Sequence, residues 1–533
     1  MIFSSRPSLS GHRFFPNAAR RGAGLMALLV GALCPTPMAA GPTIVFPDGG
    51  VGRLQVRPAG HAGELAAESW WGGPIMDESD RLSAPAPWVP LGEARGSVTL
   101  PDGQDARLDV SPTGAEKLDW LASLPAGSIQ TLSLADTDVA DADLARLASL
   151  AGLAELILDN TDIGDAGLAH VGKLTALRGL SLAHTYVTDA GLGSLGPLSA
   201  LRALVLNGCE VTGEGLEALR ASPALEHLAL ANTRLSDETL ASVTAFMSLR
   251  RLDLSATRLT NERVADLRAL ARLEDLRLGG QNQPGLYFEP LLGDAAVDSL
   301  TRLTGLKRLA FTAGVTNEGL GRLAGLPSLE ILALIGIKYN DDGLARLVGH
   351  PALKGLIFVS PPEARLAVPV TGAGLAHLKQ IKGLEILGLE NTNVQDDDLR
   401  HLREMTALKA LSLDSPGVSD AGLAHVAGLT SLESLHLPLT TSDEGLAHVR
   451  GLVNLKRLRL PFSRITDAGL EHLKPLMALE ELDVYGTRLS PKAVELLKGH
   501  PHLRLLLVGY TDIGEAGLAE LRRALPLCDV RDI

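Results

Sequence analysis

Apolar residues recur along most of this chain on two alternating periods. From Ile129 onward the pattern L-x-x-L-x-L-x-x-T-x-[IV]-x-D-x-G-L-x-x-L-x-x-L returns about every 24 residues. In Leu153-Ala-Glu-Leu156-Ile-Leu158 the last two leucines stand two apart, which places them on one side of a short strand. In Asp165-Ala-Gly-Leu168-Ala-His-Val171-Gly-Lys-Leu174 the apolar residues recur every three, as a short helix or 3₁₀ segment with one buried stripe requires. Each unit thus reads as strand, turn, helix and return. Asp165 and its equivalents Asp189, Asp420 and Asp467 open the helical segments and are expected to cap their N–H groups.

The first leucine-type position of each unit runs from Ile129, Leu153 and Leu177 to Leu503, giving sixteen units over residues 129–526. Two are long, from Leu273 to Leu306 and from Leu353 to Leu384. Two are one residue short, those starting at Leu306 and Leu432. No single unit can bury its own apolar face, so the copies must stack, parallel strand beside parallel strand at about 4.8 Å, in a ladder of about 77 Å. The expected fold is an α/β solenoid, a right-handed superhelix with a concave parallel sheet and short convex helices.

A column of small polar residues follows the strands: Thr137, Thr161, Thr185, Cys209, Thr233, Thr257, Thr392, Thr440, Ser463, Thr487 and Thr511. Turned inward, a hydroxyl there satisfies backbone groups in the bend. With these positions in place the chain resembles the leucine-rich repeat superfamily over residues 114–533. Its T-x-[IV]-T-D-x-G-L variant is similar to bacterial repeat proteins and to the repeat half of F-box/leucine-rich-repeat substrate receptors, without an F-box-like segment ahead of it. The resemblance specifies a fold. The superfamily has no common chemistry.

Ahead of the repeats, residues 42–112 are rich in proline and glycine and carry Trp70, Trp71 and Trp88. A duplication lies there, Phe46-Pro-Asp-Gly through Pro58 matching Leu100-Pro-Asp-Gly through Pro112. Pro-Asp-Gly between alternating apolar residues predicts β-hairpins, hence a small β module covering the first repeat strand. A carbohydrate-binding module is the rival reading. Residues 113–128 predict a cap helix with Leu118, Leu121 and Leu124 inward. Residues 527–533, with Leu527 and Val530, predict a last partial strand.

Residues 1–40 combine Arg6, Arg13, Arg20 and Arg21, the apolar run Gly24 to Leu33 and the small pair Ala39-Ala40. These are the parts of a secretory signal peptide, with cleavage expected near Ala40. Cys34 matches a lipoprotein site poorly, and Arg20-Arg21 lacks the rest of a twin-arginine signal. The formal net charge of −13 falls to about −17 without that segment, which disfavours nucleic acid as a partner. Cys209 and Cys528 lie in units far apart in the stack, so no internal disulfide is expected. The abundance of Ala, Gly, Leu and Arg over Lys fits a GC-rich bacterial genome.

Candidate binding residues follow from the strand positions that alternate with the core leucines. Arg251 and Asp253 are expected beside Asp275 and Arg277, and Arg457 and Arg459 beside Glu481 and Asp483, either as a solvated, self-neutralising face or as a recognition surface. The two long units insert Gln281 to Gly293 and Val359 to Val370 at the same bend, three repeats apart or roughly 14 Å. Together they predict a lip, with Tyr287 and Phe288 as aromatic anchors. His377, His401, His425, His448 and His472 form a column that could hold a metal or titrate near neutrality, although helix spacing of about 8–10 Å lets at most two rings share an ion, and repeat duplication explains it more simply. No G-x-S-x-G, H-E-x-x-H or Walker A motif occurs, so neither an enzyme nor a cofactor is expected. The functional expectation is an exported scaffold binding a protein or peptide through the concave repeat face and the insertion lip, with no membrane span. The alternatives are a glycan-binding or structural envelope protein acting through the Trp-bearing module and, should residues 1–40 stay in place, an intracellular adaptor.

Overall fold

The computed structural model describes residues 40–59, 88–279, 292–312, 314–336, 338–359 and 367–532. The signal segment with Cys34, Trp70, Trp71, and Tyr287 and Phe288 with most of both insertions lie outside the described residues. Sixteen short strands, from β6 (Thr131–Ser133) to β21 (Leu505–Leu507), each begin two residues after the leucine-type start of a unit. They pair in parallel with unit-for-unit register, Leu156 opposite Leu180 and Leu458 opposite Leu482. The chain forms an α/β solenoid whose leucines, such as Leu153, Leu156, Leu158, Leu168 and Leu174, are almost fully buried between sheet and helices. Each contributes about 1.5–3 kcal/mol of burial. β22 (Asp529–Arg531) adds a last parallel strand with Val530 inside; Leu527 lies outside that strand and is exposed.

Most of the threonine column behaves as its chemistry predicts; Thr392 instead bonds the Ser415 hydroxyl, and the buried Ser463 hydroxyl has no hydrogen-bond partner among the described residues. Thr137, Thr161, Thr185, Thr233, Thr257, Thr487 and Thr511 each donate a hydroxyl to the carbonyl three residues earlier, at 2.5–2.7 Å. The Cys209 thiol donates to the Leu182 carbonyl. In the short unit starting at Leu432 the buried residue is Thr441, and Thr440 is half-exposed.

The aspartates do something other than cap their own helices. Thr466 caps the helix Asp467–Leu470, its Oγ1 accepting from the Ala468 N–H at 3.3 Å. Asp443, at the head of the previous helix (Asp443–Val449), reaches across and accepts the Thr466 N–H and O–H, both at 2.7 Å. The same two-point latch joins Asp165 to Thr188, Asp237 to Thr260, Asp294 to Thr316, Asp341 to Thr371, Asp396 to Ser419, Asp420 to Ser442 and Asp467 to Ser490. The glycine of the D-x-G motif is the third part. A Cβ on Gly469 would lie 2.3 Å from the Asp443 carboxylate, and one on Gly191, Gly319 or Gly445 would meet the corresponding aspartate at 2.1–2.3 Å. Each D-x-G therefore carries one half of two latches, its Asp gripping the next unit and its Gly admitting the carboxylate of the unit before.

The duplicated Pro-Asp-Gly segments do not fold back as hairpins. β1 (Ala40–Phe46) pairs antiparallel with β4 (Gly96–Pro101), and β2 (Gly52–Pro58) pairs antiparallel with β5 (Gln104–Val110), so the two copies clasp each other. Each Pro-Asp-Gly bend turns the chain from one sheet into the other, which buries the matched pairs Phe46 and Leu100, Leu54 and Leu108, and Val56 and Val110. β3 (Val89–Glu93) flanks β2, and β5 pairs in parallel with β6, continuing the repeat ladder. The expected cap helix is a short turn at Pro112–Ala115 followed by a 3₁₀ helix at Leu118–Ser123, with Leu118, Leu121 and Leu124 buried.

The two ends of the ladder meet. Arg53 on β2 bonds Asp529 on β22 at 2.6 Å, an ion pair between the ends of a ladder that no strand pairing closes among the described residues. The alternate strand positions, among them Ala203, Val205, Ala229, Ala333, Ile357 and Ala410, form a second buried apolar cluster on its inner side.

Helix propensity favours alanine over glycine inside a helix by about 1 kcal/mol, whereas the latch opposes it. Gly469→Ala is expected to destabilise the protein by about 1–3 kcal/mol, and the loss should shrink when Asp443→Ala removes the clashing carboxylate. Thermal or denaturant unfolding of the two single variants and the double variant measures this coupling, and additive effects would contradict the latch.

Candidate interaction surface

The strand register brings the predicted charges together as expected, Arg251 opposite Asp275, Asp253 opposite Arg277, Arg457 opposite Glu481 and Arg459 opposite Asp483. Their environment differs from a solvated face. Asp253 and Asp275 are only 1% and 4% exposed. Arg277 pairs with Asp253 at 3.2 Å, and Asp275 is taken at 2.5 Å by Arg308, a residue the sequence reading did not include. Burial pushes the Asp275 carboxyl up in spite of Arg308, Arg251 and Arg277 around it. Removing one partner of such a buried pair costs about 3–5 kcal/mol, against at most about 1 kcal/mol for an exposed pair. The first quartet is thus part of the interior. The second quartet is half-buried, with Asp483 accepting the Tyr485 N–H at 3.0 Å and its carboxyl pushed up by burial.

A second group of inner titratable residues lies on β16 (Ile386–Leu389), β17 (Ala410–Ser412) and β18 (Ser434–His436) and just beyond them. Glu390 is pushed up to about 7, first by burial and then by the like charge of Asp414. Burial, then Arg459, lowers His436 to about 4. The Ser412 hydroxyl lies 3.3 Å from His436 Nδ1 and 3.4 Å from Glu390 Oε1. Glu390 contacts the serine rather than the imidazole, so nothing here orders nucleophile, base and orienting acid as acyl transfer requires. The column His377, His401, His425, His448 and His472 lies half-buried on successive helical segments. Burial depresses His401 and His425, and among the described residues no three His, Cys, Asp or Glu side chains converge as a metal set. Cys209 and Cys528 are free, buried thiols.

The two rims of the sheet differ chemically. At the rim where the strands begin, one position alternates in sign over thirteen consecutive units, from Arg202, Glu226, Arg250, Glu274 and Lys307 to Glu480 and Arg504. Glu274 is bonded by Arg250 and by Lys307, Glu330 by Lys354, Glu385 by Lys409, Glu433 by Lys456 and Glu480 by Arg504. This rim neutralises itself. Aligning the residue before each strand would have exposed the alternation in the sequence.

At the rim where the strands end, the residue before the inward hydroxyl takes a left-handed backbone. Asp136, Asn160, Asn232 and Asn391 suit it, as do Gly208 and Gly486, but His184, Ala256, Phe462 and Tyr510 adopt it as well, the last two with φ 54°. A bulky side chain there costs about 1–2 kcal/mol. Phe462 and Tyr510 are 59% and 79% exposed, and Tyr485 stands between them with ring centroids at 5.2 and 5.1 Å. The rings lie over glycines of the next unit: a Cβ on Gly486 would strike Phe462, and one on Gly509 would strike Tyr485. Leu439, exposed, occupies the same rim one unit earlier. The predicted insertions depart from this rim too, after the strands β12 (Asp275–Gly279) and β15 (Gly355–Val359). Trp88 of the N-terminal module is stacked on Arg57 at 4.1 Å, and Arg57 in turn meets Glu155 of the second repeat at 3.6 Å.

No family model matches the chain, and no curated protein matches it in sequence. Among solved structures it is similar to an internalin of Listeria monocytogenes (20% identity, 64% of this chain and 82% of that one, TM-score 0.32). It is similar also to a leucine-rich-repeat protein of Leptospira interrogans (17% identity, 79% and 99% covered, TM-score 0.36) and to TLR13 in complex with ssRNA13 (17% identity, 77% and 70% covered, TM-score 0.44).

Glu390 sets a pH dependence of known sign. Between its ordinary 4.5 and about 7 the folded chain holds a proton there that the unfolded chain has lost, so its contribution to stability fades as pH rises through 7. Glu390→Gln, which cannot ionise, should therefore raise stability at pH 8 by up to about 3 kcal/mol and change it little at pH 4.5. Denaturant midpoints at the two pH values check this.

Proposed function

We propose that this chain is an exported, non-enzymatic interaction scaffold that binds a protein or peptide along the rim where its strands end. The observation that carries the reading is the convergence on that one rim of both insertion points, Gly279 and Val359, and of the exposed aromatics Phe462 and Tyr510 with half-buried Tyr485 between them. Much of the inner side of the sheet is buried and the opposite rim pairs its own charges, which supports this edge as a surface that gains from a partner. Tyr287 and Phe288, read from the sequence, would be anchors of the insertion lip. The half-buried quartet Arg457, Arg459, Glu481 and Asp483 would support the rim from the concave side, and the buried quartet around Asp253 and Asp275 would hold its shape.

Export rests on the basic, apolar and small-residue order of residues 1–40. No helix among the described residues is long and apolar enough to cross a membrane. Nucleic acid as the partner is disfavoured by the mature net charge of about −17, derived from the −13 of the whole chain by loss of four arginines. The bacterial-surface glycan reading keeps one supporting feature, the tryptophans of the N-terminal segment, of which Trp88 already has one face on Arg57.

Expression in a bacterial host followed by mass spectrometry should find a mature N-terminus near Ala40 in the exported fraction. Affinity capture with that mature chain should retain a protein partner. Replacing residues 281–291 with a short Gly-Ser linker, or changing Tyr287 and Phe288 to Ala, should weaken capture at least about tenfold (about 1.4 kcal/mol) without lowering the unfolding temperature. Undiminished capture by both variants would remove the insertion from the binding surface.

A further inference from the structure

From the geometry of the last four repeats we infer that Leu439, Phe462, Tyr485 and Tyr510, with Arg464 and Arg488, form a docking ridge for an acidic, extended peptide segment of another protein. The inference rests on the scaffold reading and names the chemistry of its partner.

Three independent features define the ridge. Phe462 and Tyr510 occupy a left-handed position that elsewhere in the chain goes mainly to Asn, Asp or Gly, so large rings are kept there against the local preference of the backbone. They are not held there by burial, since both are among the most exposed large apolar side chains of the described residues. The ridge is also rigid. The Phe462 N–H donates to the Tyr485 carbonyl at 2.6 Å and the Gly486 N–H to the Gly509 carbonyl at 2.8 Å, which ties each bend to the next unit. Gly486 and Gly509 lack the Cβ that would push the Phe462 and Tyr485 rings away. A preorganised row of aromatic side chains needs little ordering on binding.

The third feature gives the sign of the partner. Two residues beyond Phe462 and Gly486, Arg464 and Arg488 stand exposed on adjacent units, and neither forms an ion pair among the described residues. On the opposite rim the basic residues from Arg250 to Arg504 are matched to glutamates. In a chain of net charge −13, two adjacent unpaired guanidinium groups beside an aromatic row are a local inversion of sign. Asp512 ends the cationic stretch at the following unit. Arginine beside tyrosine is the residue pair that dominates buried protein contacts, the guanidinium taking carboxylates in a planar fork. A segment crossing the units would thus lay carboxylates over Arg464 and Arg488 and apolar or proline side chains between the rings.

The test uses the full mature chain and fluorescence anisotropy with a short labelled peptide of Glu, Pro and Phe, beside its Lys-for-Glu and Ala-for-Phe counterparts. The acidic aromatic peptide should bind at least about tenfold more tightly than either. Phe462→Asn and Tyr510→Asn, which restore the residue type the backbone prefers, should lose that binding while keeping or raising the unfolding temperature. Arg464→Glu with Arg488→Glu should lose it with the fold intact. Equal binding of the Lys-for-Glu peptide, or wild-type affinity in the Asn variants, overturns the inference. So does preferential binding of acidic oligosaccharides in the same assay, or dimerisation in sedimentation that Phe462→Asn abolishes, which would assign the ridge to a glycan or to a second copy. Ridge variants that still capture the partner lost on replacing 281–291 would refute the ridge alone; capture unchanged in both sets refutes the wider reading as well.

Discussion

The solenoid depends on a carboxylate that reaches from most of its helical segments into the next. A stack of leucine-filled units has ample cohesion but little to fix one unit's rotation on its neighbour, because dispersion and burial are not directional. The aspartate latch supplies direction. Its two oxygens take an N–H and an O–H from the following Thr or Ser, that hydroxyl caps its own helix, and the glycine beyond leaves room for the carboxylate. Where the next cap is Asn340, whose amide carbonyl offers no donor, the reaching residue is Asn317, and the two amides bond through Asn317 Nδ2 to Asn340 Oδ1. The exchange of acid for amide follows the chemistry of the partner, as a latch between units requires.

Much of this fold is legible in the chain because its dominant signal is periodic. The leucine spacing locates every strand from β6 to β21, and the inward threonines follow from the need to satisfy a bend. The aspartates are legible as residues but not as a latch, since their partners lie 22–30 residues away and local capping explains the same spacing. The duplicated Pro-Asp-Gly segments show the same limit: each copy predicts a hairpin locally, while the other copy offers an equal set of apolar strands and wins the pairing. Pairing of Asp253 with Arg277 follows from register alone. Arg308 pairs with Asp275 because the long unit between them keeps the strand register, and the burial of these charges is set by surroundings that no local pattern encodes.

Burial of the inner strand positions redirects the functional argument. An open solenoid presents its concave face, and the strand positions between the core leucines would then be the first place to seek a ligand. Here that side holds a buried apolar cluster and charges such as Asp275 and Glu390 that burial has pushed toward their neutral forms. The rims remain, and they are unequal: alternating charges at one, and at the other aromatic rings, unpaired arginines and the roots of both insertions. The aromatic row escapes a sequence search because its column is chemically mixed, Leu439, Phe462, Gly486 and Tyr510 in successive units. Only the shared left-handed backbone at Phe462 and Tyr510 and the ring stacking through Tyr485 reveal it.

Amide hydrogen exchange on the Asp396→Ala variant tests the latch most directly. Asp396 accepts from the Ser419 N–H and O–H and from the Gly422 N–H, all in the following unit. The account predicts that protection falls chiefly across that junction, in the segment from Ser419 to Leu423 and the strand Ala410–Ser412 before it. Loss confined to residues 395–404, where Asp396 itself sits, would mean that the aspartate serves its own helix and that the units are held by leucine packing alone.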